Sequence, residues 1–298
     1  MTSSERDKRA PRYGILLTVS YDGTDFHGYQ RQRSGLRTVQ GVLEDALSDF
    51  DETASPLRAA SRTDAGVHAL GQKIAFTTER ALPPIAYLKE LERRLPRDVS
   101  VRAAESCADN YTPRFDASFK IYQYRVRVGQ TRDPLRDRFH YLIHGGFYRP
   151  GVRPEVSDIG RALNLDAIAE GASYFLGRHD FRAFRDSTDQ RETTEREMIR
   201  AEVMRDPDHE DALRITIEGD AFMKQMVRIM VGTLLEIGRE RQEPSWIRGL
   251  LSPSADRTQS GPTAPPEGLV LVGMKLGRQI EKASKKTSEE KLERQAES

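Results

Sequence analysis

A chain of 298 residues, 37% hydrophobic and 31% charged, is long enough for one large or two packed domains with substantial cores. Its formal net charge of +1 carries no nucleic-acid signal, and no apolar run approaches the ~20 residues that span a bilayer. The polar start Met1–Arg9 has no apolar core of a secretory signal, and one cysteine, Cys107, rules out an internal disulfide framework, so a soluble cytoplasmic protein is expected.

Residues 1–12 read as a mobile arm. From Tyr13 to Tyr21, Ile15, Leu17, Val19 and Tyr21 alternate with other residues and predict a half-buried strand. The Gly- and Asp-rich run Asp22–Gln32 is a loop, and its mix of aromatics, Gln and Arg suits stacking on bases and bonding phosphates. Thr38 is an N-cap candidate for an amphipathic helix over 39–50.

Ala60-Ser61-Arg62-Thr63-Asp64-Ala65-Gly66-Val67-His68-Ala69 packs a cation, a hydroxyl, a carboxylate, a glycine and an imidazole into a few positions. Thr and Asp side chains bond nearby backbone N–H groups, and Gly66 admits angles other residues resist, so a tight loop presenting Asp64 is expected. Taken alone, Asp64 reads as a residue that merely closes the turn. A strand follows at 71–78, a helix at 84–95 and a strand from Val99 to Ala103, the pattern of an α+β domain.

From Ser118 to Val128, Tyr122, Tyr124, Val126 and Val128 alternate with Gln123, Arg125 and Arg127, giving a strand with one aromatic-aliphatic face and one basic face. Residues 130–160 read as loops with short strands, where the i, i+4 spacing of His140 and His144 is not a metal signature because Tyr141 stands in the place of the glutamate. A helix over 166–176, closed by Gly177, leads into Arg178-His179-Asp180-Phe181-Arg182-Ala183-Phe184-Arg185. The polar stretch 186–196 reads as a flexible loop, and strands follow at 198–204 and 213–217.

Residues 222–237 are apolar around nearly the whole helical circumference, with Arg228 in the middle. An arginine there either snorkels to the surface or meets a carboxylate in an interior cleft, because a buried unpaired charge is costly. A short helix at 244–251 and a last strand at 269–274 complete the pattern, and residues 278–298 are a charged, disordered or solvated tail. Arginines cluster at 31/33/37, 93/94/97, 125/127/132 and 178/182/185 while acids gather at 44/45/49/51/52, which fits either a basic face on a nearly neutral protein or ordinary solvated surface. No P-loop, no G-x-S-x-G and no Cys/His metal cluster is present.

Taken together, several runs resemble the TruA family of tRNA pseudouridine synthases. They are Tyr21-Asp22-Gly23-Thr24 with Gly28-Tyr29-Gln30, Thr38-Val39-Gln40, Arg62–His68, Lys120-Ile121-Tyr122-Gln123-Tyr124, Gly177-Arg178-His179-Asp180-Phe181, Met226–Gly232 and Pro262-Thr263-Ala264-Pro265. Between the arm at 1–12 and the tail at 278–298, the resemblance implies an N-terminal α+β domain at 13–115 and a C-terminal α+β domain at 116–277. Both domains would be ferredoxin-like or RRM-like and share a continuous antiparallel sheet around a basic cleft. It further implies a homodimer acting on the tRNA anticodon arm, with no cofactor, metal or membrane, and isomerisation of uridine to pseudouridine at positions 38–40. By motif match Asp64 would be the catalytic aspartate, Tyr122 the residue stacking on the target uracil and Arg228 the partner of Asp64. Arg62, Arg31, Arg178 and Arg182 would meet the RNA. A non-catalytic RNA-binding relative is the alternative. Tyr29 and Ser61 stand where the family often has Trp and Gly, and residues 189–196 lack its usual Cys and Pro.

Overall fold

The computed structural model describes residues 11–33, 35–144 and 159–277. Of the arm expected at 1–12 only Pro11 and Arg12 are among them, and the tail expected at 278–298 lies outside the described residues.

Strand β1 (Tyr13–Tyr21) occupies the span its alternation predicts. Helix α1 (Val39–Ser48) starts at Thr38, whose hydroxyl accepts from the Gly41 N–H at 3.2 Å, and buries Val39, Leu43, Ala46 and Leu47. The short β2 (Arg58–Ala59) leads through the Asp64 loop into β3 (His68–Thr78). Helix α2 (Pro84–Arg94) begins on Pro84, whose missing N–H costs nothing in the first turn. Strand β4 (Val99–Cys107) runs four residues beyond the expected Ala103 because it keeps pairing with β1 as far as Gly14.

A one-turn helix, α3 (Pro113–Asp116), precedes β5 (Phe119–Gly129). Then follow β6 (Tyr141–His144), α4 (Ile159–Ala162), α5 (Leu165–Ser173) and β7 (Gly177–Asp180). The chain closes with β8 (Glu195–Arg205), β9 (Ala212–Gly219), α6 (Met226–Gly238), α7 (Trp246–Leu250) and β10 (Leu269–Lys275).

The strands form one sheet in the order β4-β1-β3-β10-β5-β9-β8-β7, with β2 paired to β3 and β6 to β5. It is continuous, as expected, but not antiparallel throughout. The last strand of the chain pairs in parallel with β3, through Val270 opposite His68 and Leu271 opposite Ala69, and β5 pairs in parallel with β6. Thus β10 joins strands from the two halves of the chain. Its other edge pairs antiparallel with β5, placing Leu271 opposite Tyr122. The result is that the Asp64 loop, which ends at β3, and Tyr122, on β5, lie either side of β10. Both faces of β3 are covered, with Ile74, Ala75 and Phe76 fully buried.

The apolar run 222–237 does not start as a helix. Gln225 has φ 58°, in the left-handed region, so residues 222–225 make a turn and the helix starts at Met226. Once started, α6 is buried on nearly all sides. Its packing on the segment Gly261–Ala264 is so close that a Cβ at Gly232 would sit 1.7 Å from the Pro262 carbonyl oxygen.

Candidate active site

The Asp64 loop is fixed by groups beneath it. Ser61 donates its N–H to Gln72 Oε1 at 3.2 Å, and Gln72 Nε2 donates back to the Ser61 carbonyl at 2.8 Å. Gln72 sits on β3 and is fully buried. The Tyr21 and Thr63 hydroxyls are 2.8 Å apart, and the Thr63 carbonyl accepts from Tyr29 N–H at 3.1 Å. The turn itself closes with Val67 N–H donating to the Asp64 carbonyl at 3.2 Å. Gly66 has φ 77°, and a Cβ there would lie 2.8 Å from Pro266, so the turn needs glycine on two counts.

His68, left ambiguous by the sequence, anchors the end of the loop. Its Nδ1 lies 2.9 Å from the Gly23 N–H, which can only donate, and its Nε2 lies 3.1 Å from the Glu267 carbonyl, which can only accept. The ring is therefore neutral with its proton on Nε2, and burial lowers its pKa in the same sense. Asp22, 3.2 Å from Nδ1, is taken up by Arg138, which also holds Asp25.

Arg228 reaches the loop from the first turn of α6. Its Nη1 is 3.5 Å from Asp64 Oδ2, an ion pair whose arginine side chain is 13% exposed and whose carboxylate is 28% exposed. The guanidinium is aimed by its Nε, which donates to the Ala264 carbonyl at 2.7 Å, while the Ala264 N–H donates to the Arg228 carbonyl at 3.0 Å. The Pro262–Pro265 segment thus aligns the arginine. Burial pushes the Asp64 carboxyl above the ordinary carboxylate value, although Arg228 and then Lys224 pull it back down. In the cleft, desolvation is the larger effect.

Tyr122 is buried in the cleft wall, its hydroxyl 3.1 Å from the Ser61 hydroxyl and its ring edge-on to Phe222 with centroids 5.1 Å apart. Burial pushes its phenol up to about 12, with the charge of Asp64 adding to the effect.

These residues line one cleft of about 1500 Å³, whose walls carry nine Arg and Lys side chains against three Asp. That imbalance makes a basic concavity on a nearly neutral chain, but of the arginine clusters in the sequence only Arg31 lines it; the other cations come singly from elsewhere, among them Arg58, Arg62, Arg114, Arg191 and Lys224. Asp64, Tyr122, Arg228, Arg62 and Arg31 all face it. Arg31 is also paired there with Glu44 and Asp45. Arg178 and Arg182 are not brought to the cleft. The first lies on β7 paired with Glu197, the second in the following turn paired with Asp180.

One expectation is corrected. The aromatics of the 22–32 loop do not offer faces to bases: Phe26 and Tyr29 are 3% and 2% exposed, and the Arg37 guanidinium covers Phe26 at 4.0 Å. Apolar burial claims the rings, leaving the polar His27, Gln30 and Arg31 outermost. The 186–196 stretch, read as flexible, is tied to the turn before α6. Lys224 Nζ bonds Asp186 at 3.1 Å, Lys224 N–H bonds Asp189 at 2.9 Å, and Arg191 bonds the Phe222 carbonyl at 2.8 Å. Sequence reasoning missed Gln72, Ser61 as partner of Tyr122, Lys224 and Phe115, another cleft-lining residue. A lone Gln in an apolar strand was the available signal for the first.

Among the described residues no group of three or more His, Cys, Asp or Glu is placed to hold a metal ion, and no helix is long and apolar enough to cross a membrane.

Comparison with known proteins places this cleft in context. A family profile described as tRNA pseudouridine synthase matches residues 17–116 and 172–275. The tRNA pseudouridine synthase A of Myxococcus xanthus is 39% identical over 257 residues, covering 86% of this chain and 89% of the relative. Proteins of the same name from Geotalea uraniireducens and Geobacter sulfurreducens are 37% and 38% identical over 258 residues, covering 87% and 86% of this chain and 97% of each relative.

Proposed function

The chain belongs to the tRNA pseudouridine synthase family, and from that premise we propose that it isomerises uridine to pseudouridine at positions 38–40 of the tRNA anticodon arm, with Asp64 as the catalytic residue. In this reaction the N1–C1′ bond of uracil breaks and a C5–C1′ bond forms. C5 gives up its proton and N1 takes one up, so every atom and electron balances without a co-reactant. The step needs a charged group beside the sugar–base bond. An ionised Asp64 supplies it as a nucleophile at base or sugar, or as the base that removes a sugar proton.

The observation that carries this reading is the Asp64–Arg228 ion pair, 3.5 Å long and set in a cleft lined by an excess of cations. Arg228 opposes, without cancelling, the desolvation that favours the protonated acid, and in this reading it keeps the carboxylate form within reach where the RNA arrives. A base inside a stem reaches this depth only if flipped out, at a cost of a few kcal/mol. Tyr122, 6% exposed beside Asp64, offers the extruded uracil only the small part of its ring that the cleft wall leaves open, and the basic walls take the phosphates. The homodimer implied by the family resemblance belongs to the same reading, and sedimentation of the purified chain as a monomer would remove it.

The test is Asp64→Asn. We expect no pseudouridine by carbodiimide primer extension, with tRNA affinity within about twofold of wild type, because the charge lost is not one that attracts phosphate. Full activity in the variant overturns the assignment.

A further inference from the structure

We propose that the one-turn helix Pro113–Asp116 is a stacking platform on which Phe115 holds an unpaired RNA base while Arg114 takes a neighbouring phosphate; the inference rests on the reading of the cleft as an RNA site.

Phe115 is 67% exposed, the most exposed Phe, Tyr or Trp among the described residues, and it lines the cleft. Its exposure is imposed by its surroundings. Pro113, Asp116, Ala117 and Ser118 are buried, so the turn faces inward with those residues and outward with Arg114 and Phe115. Phe115 N–H donates to the Thr112 carbonyl at 3.1 Å and Ala117 N–H to the Pro113 carbonyl at 2.9 Å. Behind the turn, Tyr111 donates its hydroxyl to Asp116 at 2.6 Å, and Arg58 holds the Tyr111 and Asp109 carbonyls at 2.9 and 3.2 Å. A ring kept in water by so rigid a support stabilises nothing in the free protein.

Charge identifies the occupant. Arg31, Arg178 and Arg182 each have a carboxylate partner, whereas no ion pair or hydrogen bond engages the side chain of Arg114 or Arg62 among the described residues. Both are exposed and line the same cleft. An exposed aromatic sharing a cleft with unneutralised guanidiniums is what a single-stranded nucleic acid uses, its base face on the ring and its phosphates on the cations. A protein partner seated there would have to bring carboxylates instead.

The experiment uses the full chain and an anticodon stem-loop RNA with 2-aminopurine placed singly at each loop position. Stacking on Phe115 quenches the probe at one position. We expect Phe115→Ala to remove that quench and weaken binding about tenfold, the scale of one lost base–aromatic stack, while kcat at saturation stays within about twofold and KM rises. Phe115→Trp should restore affinity and quench. Wild-type affinity and quench in Phe115→Ala overturn the proposal. So does an unchanged RNA affinity with a changed sedimentation coefficient, which would assign the ring to contact with a second copy. Failure here leaves the function intact if Asp64→Asn still abolishes isomerisation; failure of the function shows instead as wild-type protein that binds the RNA and leaves its uridines unchanged.

Discussion

Asp64 and Arg228 reach their ion pair from two walls of different construction. The loop wall, residues 60–68, is held mostly by polar contacts: the Gln72 amide on Ser61, Tyr21 on Thr63, and His68 between Gly23 and Glu267. The helix wall is held by apolar burial, with Val227, Ile229, Met230, Val231, Leu234, Leu235 and Ile237 of α6 all in the core. Each buried aliphatic side chain is worth about 1.5–3 kcal/mol, and each net hydrogen bond about 0.5–1.5 kcal/mol. Arg228 therefore cannot drift without disturbing the core, whereas the loop can loosen while the protein stays folded. The rigid wall presents the cation and the adjustable wall presents the carboxylate.

The comparison breaks hardest at Arg228. Arg228→Leu places an aliphatic chain in an apolar helix, so the fold is expected to hold, its melting temperature at or above that of wild type. Asp64 loses the neighbour that most lowers its pKa, and burial is left with less opposition. Its carboxylate then forms only at higher pH, and the acid limb of the kcat profile moves to higher pH. At neutral pH kcat should fall about 10²–10³-fold, the scale of losing one aligned electrostatic group. Wild-type kcat across the pH range would show that the cation wall has no part in the chemistry. A collapsed melting temperature would show that the helix wall depends on its arginine.

The walls also differ in how far the sequence disclosed them. The apolar periodicity of 222–237 announced a buried helix because helical spacing is a local property. It did not announce that Gln225 takes a left-handed conformation, since the turn is set by contacts with residues 186–191 far along the chain. β1 was legible to the residue, and α2 nearly so, for the same local reason. The placement of β10 between β3 and β5 was not legible, because pairing partners leave no periodicity in the strand itself. In the site, the motif named Asp64, Tyr122 and Arg228, but the supports under the loop come from residues 21 and 72, which look like ordinary strand positions until the strands pair. Arg178 and Arg182 read like cleft residues by composition. Composition does not record that Glu197 and Asp180 stand beside them.

The smaller effect, and the sharper test of the contrast, is Gln72→Leu. Leucine has nearly the volume of glutamine, so the cavity term is small and the change is chiefly the loss of two hydrogen bonds. Ser61 then keeps a backbone donor and acceptor without their partner, at a cost of about 1–3 kcal/mol. Because that cost falls on the loop wall, the protein should remain folded with a modestly lower melting temperature. Ser61 also meets the Tyr122 hydroxyl at 3.1 Å, so a shift of the loop moves both the tyrosine's partner and Asp64. A displacement of about 1 Å costs on the order of 10²-fold in rate, and partial retention through Tyr21–Thr63 makes about 10–100-fold the expected loss in kcat. KM for tRNA should stay within about twofold, since no phosphate-binding cation is touched. If KM rises and kcat holds, Gln72 supports RNA binding and the loop is not the adjustable wall. If kcat falls only in proportion to the folded fraction, the amide serves the core, and the two walls are alike after all.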